Sequence, residues 1–163
     1  MVDASPPQKI DPVFRRIWVI EDDEHIRDML SATLRGEGFQ VDSFRDGRNI
    51  EGKIQESPPD LVVCDVMMPG GGGYEVIRIL QGDELTRKVP VIMISGYTFD
   101  PSTREMLRQE SNVKEYFDKP IRPAALLQKI HQLLNTLSRE EKIIEEKKKG
   151  IAGLNIGGLD GIV

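Results

Sequence analysis

From Ile17 onward the apolar positions follow two alternating rhythms. Short runs rich in β-branched residues, IWVIE (17–21), FQVDSF (39–44), DLVVCD (60–65), VPVIMIS (89–95) and EYFDK (115–119), have the length and composition of strands. The stretches between them repeat apolar residues at helical spacing. EHIRDMLSATLRGEG places Ile26, Met29, Leu30, Thr33 and Leu34 on one face, with Gly36 or Gly38 as the stop. Residues 46–56 carry a weaker helical pattern closed by Pro58 and Pro59, and YEVIRILQG aligns Val76, Ile77 and Leu80 ahead of Gly82. After Pro101, STREMLRQESN is mostly polar. Met106 and Leu107 are its anchors and Asn112 its left-handed stop, which predicts a lightly held surface helix. PAALLQKIHQLLNTL has the strongest stripe, built on Leu126, Leu127, Ile130, Leu133, Leu134 and Leu137.

Five strands alternating with five helices predict an α/β fold with a doubly wound, flavodoxin-like parallel sheet and helices on both faces, because parallel neighbours need right-handed crossovers. Three of the runs are almost continuously apolar, as strands covered on both sides are. In such sheets ligands bind beyond the carboxyl ends of the strands, where the strand order reverses. The residues at those ends are Glu21 and Asp22, then Asp65, Ser95 and Lys119. With strands in the order 2-1-3-4-5, the three acids crowd together, and their mutual repulsion favours a hard divalent cation. A few carboxylate oxygens suit Mg²⁺, which keeps several waters and recruits phosphate oxygens. Lys119 and the Ser95 hydroxyl would meet the remaining oxygens of a phosphoryl group carried on Asp65. The stretch after Asp65, VMMPGGGG, supplies a loop whose backbone approaches the site closely, with the Met67 carbonyl as a further metal ligand. Four glycines in a row exceed what that chemistry requires.

These motifs in this order resemble the response-regulator receiver domain of two-component signalling, over roughly residues 15–137. The matching stretches are WVIEDDEHIRDML, LVVCDVMMPGGGGYEVI, VPVIMISGY and EYFDKPI. The resemblance implies that Asp65 is the phosphoacceptor, that Glu21 and Asp22 are the Mg²⁺ acids, and that Lys119 and Ser95 contact the phosphoryl group. The isoleucine-arginine pair at Ile26 and Arg27 selects Asp22 from EDDE by family spacing, leaving Asp23 near the helix start, where an acid suits the dipole. Ser95 and Tyr116 become the switch pair, Phe117 faces the other side of the sheet, and Lys119-Pro120 matches the family's usual cis peptide. The implied partners are a sensor histidine kinase or phosphotransfer protein upstream, and a downstream protein target or an output domain absent from this chain. They act through the face made by helix four, strand five and helix five, a face that also serves for homodimers. The GGGG run replaces a more polar loop, with consequences for kinase recognition or phosphate lifetime.

Length and composition narrow the remaining choices. A chain of 163 residues, 39% hydrophobic, makes one domain with some extra sequence. A net charge of -5 gives no general attraction to a polyanion, so direct nucleic-acid binding is not expected. The single cysteine, Cys64, cannot form a disulfide within the chain, reads as core filler and fits a reducing compartment. MVDASPPQKIDP has no apolar core for a signal peptide and no later run has membrane-spanning length, so a cytoplasmic protein is expected. The expected layout is a flexible segment over 1–14, a receiver domain over 15–137, and a charged helical extension with a Gly-rich apolar tail over 138–163. In that last part SREEKIIEEKKKG would prolong the preceding helix, and the tail reads as a docking peptide or the stub of an output domain. His25 and His131 are expected to be solvated, and Met67, Met68 and Met93 to be core or loop residues.

Two other functions share these residues. A metal-dependent phosphohydrolase with an aspartyl nucleophile wants a second acid two positions on, where this chain has Met67. A pseudo-receiver scaffold would not need Glu21, Asp22, Asp65 and Lys119 intact. The reading is therefore a signalling domain that accepts phosphate, rather than an enzyme.

Overall fold

The structure, a computed structural model, describes residues 5–69, 72–96 and 101–154. A short 3-10 turn, Pro12–Phe14, precedes five strand-helix repeats: β1 Arg16–Ile20, α1 Glu24–Glu37, β2 Gln40–Phe44, α2 Ile50–Glu56, β3 Leu61–Asp65, α3 Gly73–Gly82, β4 Val91–Ser95, α4 Pro101–Arg108, β5 Val113–Asp118 and α5 Pro123–Leu134. A further helix, α6, covers Arg139–Leu154. The five strands are parallel, as the alternation of elements predicts, and their order is the expected β2-β1-β3-β4-β5.

Strand alternation divides the core into two layers. Trp18, Ile20, Val62, Cys64, Val91 and Met93 pack under α2, α3 and Leu107 of α4. Ile17, Val19, Leu61, Val63, Ile92 and Ile94 pack under Leu30 and Leu34 of α1 and Leu126 and Ile130 of α5. Tyr116 joins the first layer and Phe117 the second. β1, β3 and β4 are buried along nearly their whole length, so their ends are held rigidly by packing on both sides.

Local chemistry explains the helix ends. The Asp23 carboxylate accepts the Ile26 N–H at 3.0 Å and starts α1, and Gly38 ends it at φ 108°, where a side chain would be strained. α2 starts later than the pattern suggests, after Asn49 in the left-handed region. Leu107 is the buried apolar anchor of α4, since Met106 is 63% exposed. Asn112 is no left-handed stop. It is buried, and its amide donates to the Arg87 and Val89 carbonyls at 2.9 Å each, tying the start of β5 to the loop before β4.

The C-terminal part also differs from expectation. α6 does not prolong α5: Asn135 turns left-handed at φ 50°, and Ser138 and Glu141 then form a capping box that starts a new helix. His131 is not solvated, because its ring bridges Thr136 Oγ1 (2.7 Å) and Glu37 Oε1 (2.9 Å), whereas His25 is exposed as expected. In the segment 1–14, expected to be flexible, residues 8–11 make backbone and ionic contacts with the α5–α6 junction. Most of the tail, residues 155–163, lies outside the described residues. Among the described residues, no helix is long and apolar enough to cross a membrane.

Candidate functional site

Register brings the strand ends together. Ile20 pairs with Cys64, so Glu21 and Asp65, the next residues of β1 and β3, emerge side by side. Ser95 pairs with Asp118, and the Lys119 N–H donates to the Ser95 carbonyl at 2.8 Å, which brings Lys119 to the same edge. Carboxylate oxygens of Glu21, Asp22 and Asp65 lie within 4.8 Å of one another. Lys119 Nζ stands 2.9 Å from Glu21 Oε2 and 3.4 Å from Asp65 Oδ2.

Burial sets the electrostatics. Glu21 is fully buried, and desolvation lifts its pKa to about 7 against the pull of Lys119. Asp65 is also raised above the ordinary carboxylate value by burial, with Lys119 opposing. Burial pulls the Lys119 ammonium down, but its two acidic neighbours outweigh that and leave it raised. Among the described residues the cluster thus sets three acids against one lysine, an excess of hard oxygen donors that could hold a metal ion.

The loops around this cluster are built to hold it. The Asp23 N–H donates to Glu21 Oε1 at 3.1 Å, and the Met67 N–H reaches Asp65 Oδ1 at 3.4 Å. Arg27, which sequence reasoning used only as a register mark, donates from its guanidinium to the Glu21 carbonyl at 2.8 Å and pins the turn carrying the acids. Two of the four glycines also find a reason. A Cβ on Gly73 would lie 2.3 Å from Met93 Cε and 3.1 Å from the Asp65 carbonyl, and one on Gly72 would lie 2.9 Å from the Val66 carbonyl. α3 can start directly against the end of β3 only because those positions lack side chains. Gly70 and Gly71 lie outside the described residues, and with them that part of the expected loop effect.

Ser95 is buried at the end of β4. Tyr116 is half-buried, and among the described residues its hydroxyl has no hydrogen-bond partner. Burial pushes that hydroxyl's pKa up to about 12. Arg104 of α4 lies over the Tyr116 ring at 5.6 Å while bonding Asp118 at 3.0 Å, a contact that no sequence signal announced. Met67 is exposed, and Met68 and Met93 are buried. The cluster opens into a cavity of about 970 Å³ that Met67, Tyr74, Met106 and Leu107 also line.

Comparison with known proteins points the same way. The family model described as the response regulator receiver domain matches residues 17–131. The DNA-binding response regulator MtrA of Mycobacterium tuberculosis is 34% identical over 125 residues, covering 77% of this chain and 53% of MtrA. The phosphate regulon transcriptional regulatory protein PhoB of Escherichia coli is 32% identical over 133 residues, covering 80% of this chain and 57% of PhoB. The chain therefore spans about half the length of these relatives. Among solved structures, chemotaxis protein CheY4 of Vibrio cholerae superposes with a TM-score of 0.67 at 26% identity, covering 74% of this chain and 98% of that one.

Proposed function

The chain belongs to the response-regulator receiver family, and from that premise we propose that Asp65 accepts a phosphoryl group from a histidine kinase or phosphotransfer protein. The observation that carries this reading is a carboxylate held at a rigid strand end, with an ammonium 3.4 Å away and two further acids within 4.8 Å.

In the proposed step an Asp65 oxygen attacks phosphorus as the bond from phosphorus to the donor nitrogen breaks, and the departing imidazole takes up a proton. Glu21, Asp22 and Asp65, with the Met67 carbonyl, would hold Mg²⁺. When bound, the ion supplies positive charge to the phosphoryl oxygens. Lys119 leaves its present acid partners to pair with a phosphoryl oxygen, and the Ser95 hydroxyl donates to another. Movement of Ser95 opens space for the Tyr116 ring. The α4-β5-α5 face changes with it at low cost, since α4 has one buried anchor.

That face would then select a downstream partner, an output region of a longer protein, or a second receiver. The relatives described as DNA-binding and transcriptional regulators make a gene-regulatory output the favoured case. This segment itself, with net charge -5, offers nucleic acid no general attraction, and we place its activity in the cytoplasm.

Incubation with acetyl phosphate and Mg²⁺, followed by intact mass, tests the proposal. One phosphoryl addition is expected, and none on Asp65→Asn. Labelling of that variant to the same extent would remove Asp65 from the role. Rapid phosphate release over many turnovers would favour the hydrolase, and no addition at all the scaffold.

A further inference from the structure

The break between α5 and α6 leaves an elbow over residues 135–138. Nothing in a left-handed turn fixes the direction of the following helix unless something outside the turn holds it. Residues 8–14 do so. The Ile10 N–H donates to the Asn135 carbonyl at 2.8 Å, and the Leu137 N–H donates to the Ile10 carbonyl at 2.9 Å. Ile10 is thus bonded to both sides of Thr136, which it pairs in parallel and which is fully buried.

Ion pairs flank this bridge with alternating sign. Lys9 Nζ lies 2.5 Å from Glu141 Oε1, and Lys142 Nζ lies 3.0 Å from Asp11 Oδ1. Sliding the segment along α6 would bring Asp11 toward Glu141, so the charge order opposes a shift. Both carboxylates are already oriented by local bonds. Glu141 Oε2 accepts the Ser138 N–H at 2.8 Å within the capping box, and Asp11 Oδ1 accepts the Val13 N–H at 3.0 Å. Glu37, at the end of α1, also accepts the Arg139 N–H at 2.7 Å and meets His131 at 2.9 Å. The first turn of α6 is therefore held by two separate segments of the chain. Half-exposed ion pairs are individually weak. The two backbone bonds thus decide the direction, and the ion pairs keep the register.

We propose that residues 8–14 form a strap that sets the direction in which α6 leaves the domain, so that the segment ahead of β1 controls how everything after α6 is presented. Releasing the strap would let α6 swing about the elbow while the sheet stays intact.

The test keeps the full chain. Spin labels on Glu51→Cys in α2 and Lys148→Cys in α6, both exposed, report the distance between receiver and helix, while buried Cys64 stays unlabelled. Pulsed dipolar spectroscopy should give one narrow distance distribution. Ile10→Pro removes the N–H that bonds Asn135, and Lys9→Glu with Lys142→Glu sets like charge against Glu141 and Asp11. Each should broaden the distribution and speed exchange of the Leu137 amide by at least about tenfold, while amides in β3 and β4 keep their protection. A broad distribution in the parent, or parent-like width and exchange in both variants, overturns the proposal. Should Ile10→Pro fail to unfold cooperatively, the charge-reversed chain alone decides.

Discussion

Glu21 and Glu141 are the same amino acid, each facing a lysine at ion-pair distance, 2.9 Å for Lys119 and 2.5 Å for Lys9. Their acidities move in opposite directions. Glu21 is lifted to about 7 by burial, whereas Lys9 and the Ser138 N–H hold Glu141 below the ordinary glutamate value. The difference is solvent. The Glu21 side chain is 0% exposed and shares its lysine with Asp65, whereas Glu141 is 41% exposed and, among the described residues, has its lysine to itself. A salt bridge at the strand ends thus stores unfavourable negative charge that a cation or phosphoryl chemistry can use. The same pairing at the α5–α6 elbow is a modest fastener.

The sharpest way to break this contrast is to remove each lysine in turn. Lys119→Met should slow labelling by acetyl phosphate at least ~10²-fold, because it deletes the ammonium proposed to face the transferred group. Lys9→Met should label at the parent rate. A parent-like rate in Lys119→Met would mean that the ammonium takes no part.

Neutralising each glutamate should then change stability with opposite sign. In metal-free protein at mildly alkaline pH, Glu21→Gln removes a charge whose burial is unfavourable and should stabilise by on the order of 1 kcal/mol. Glu141→Gln keeps a capping-box residue but loses the ion pair, and should destabilise by at most ~0.5 kcal/mol. Urea midpoints measure both, and equal signs would refute the contrast.

The pH profile of the metal-free protein is the gentlest probe. Glu21 keeps its proton to about pH 7 when folded but loses it near the ordinary 4.5 when unfolded. The native state therefore binds more protons in that window, and this contribution to stability declines as pH rises through it. Glu141 is depressed, so its contribution is complete above 4.5 and is lost as pH falls through the folded value. Glu21→Gln should flatten the upper slope and Glu141→Gln the lower one, in urea midpoints taken across the range.

Much of the site was legible because its residues end apolar runs. A reader who finds Glu21, Asp65, Ser95 and Lys119 at the ends of four strand-like segments needs only the parallel order to bring them to one edge. Asn112 misled because asparagine suits a left-handed turn, whereas here its amide satisfies two buried carbonyls from another loop. The capping box at Ser138 and Glu141 was present as S-x-x-E and could have marked a new helix. It was overshadowed by the apolar stripe of α5 running up to it. Arg104 over Tyr116 had no local signature, since a contact between residues of different elements leaves none in the chain.

By itself the order of residues determined the alternation of elements, the parallel sheet, the acids and lysine at the strand ends, and the family. The family rests on the resemblance of its motifs, and the others follow from periodicity, spacing or covalent neighbourhood. Tertiary structure alone decided that Glu21 is buried deeply enough to hold a proton near neutrality, that Gly72 and Gly73 stand where no Cβ fits, and that residues 8–14 grip a helix more than a hundred positions away. Burial, close approach and long-range pairing are properties of distance in space, and a linear pattern carries that distance only where neighbouring residues happen to share it.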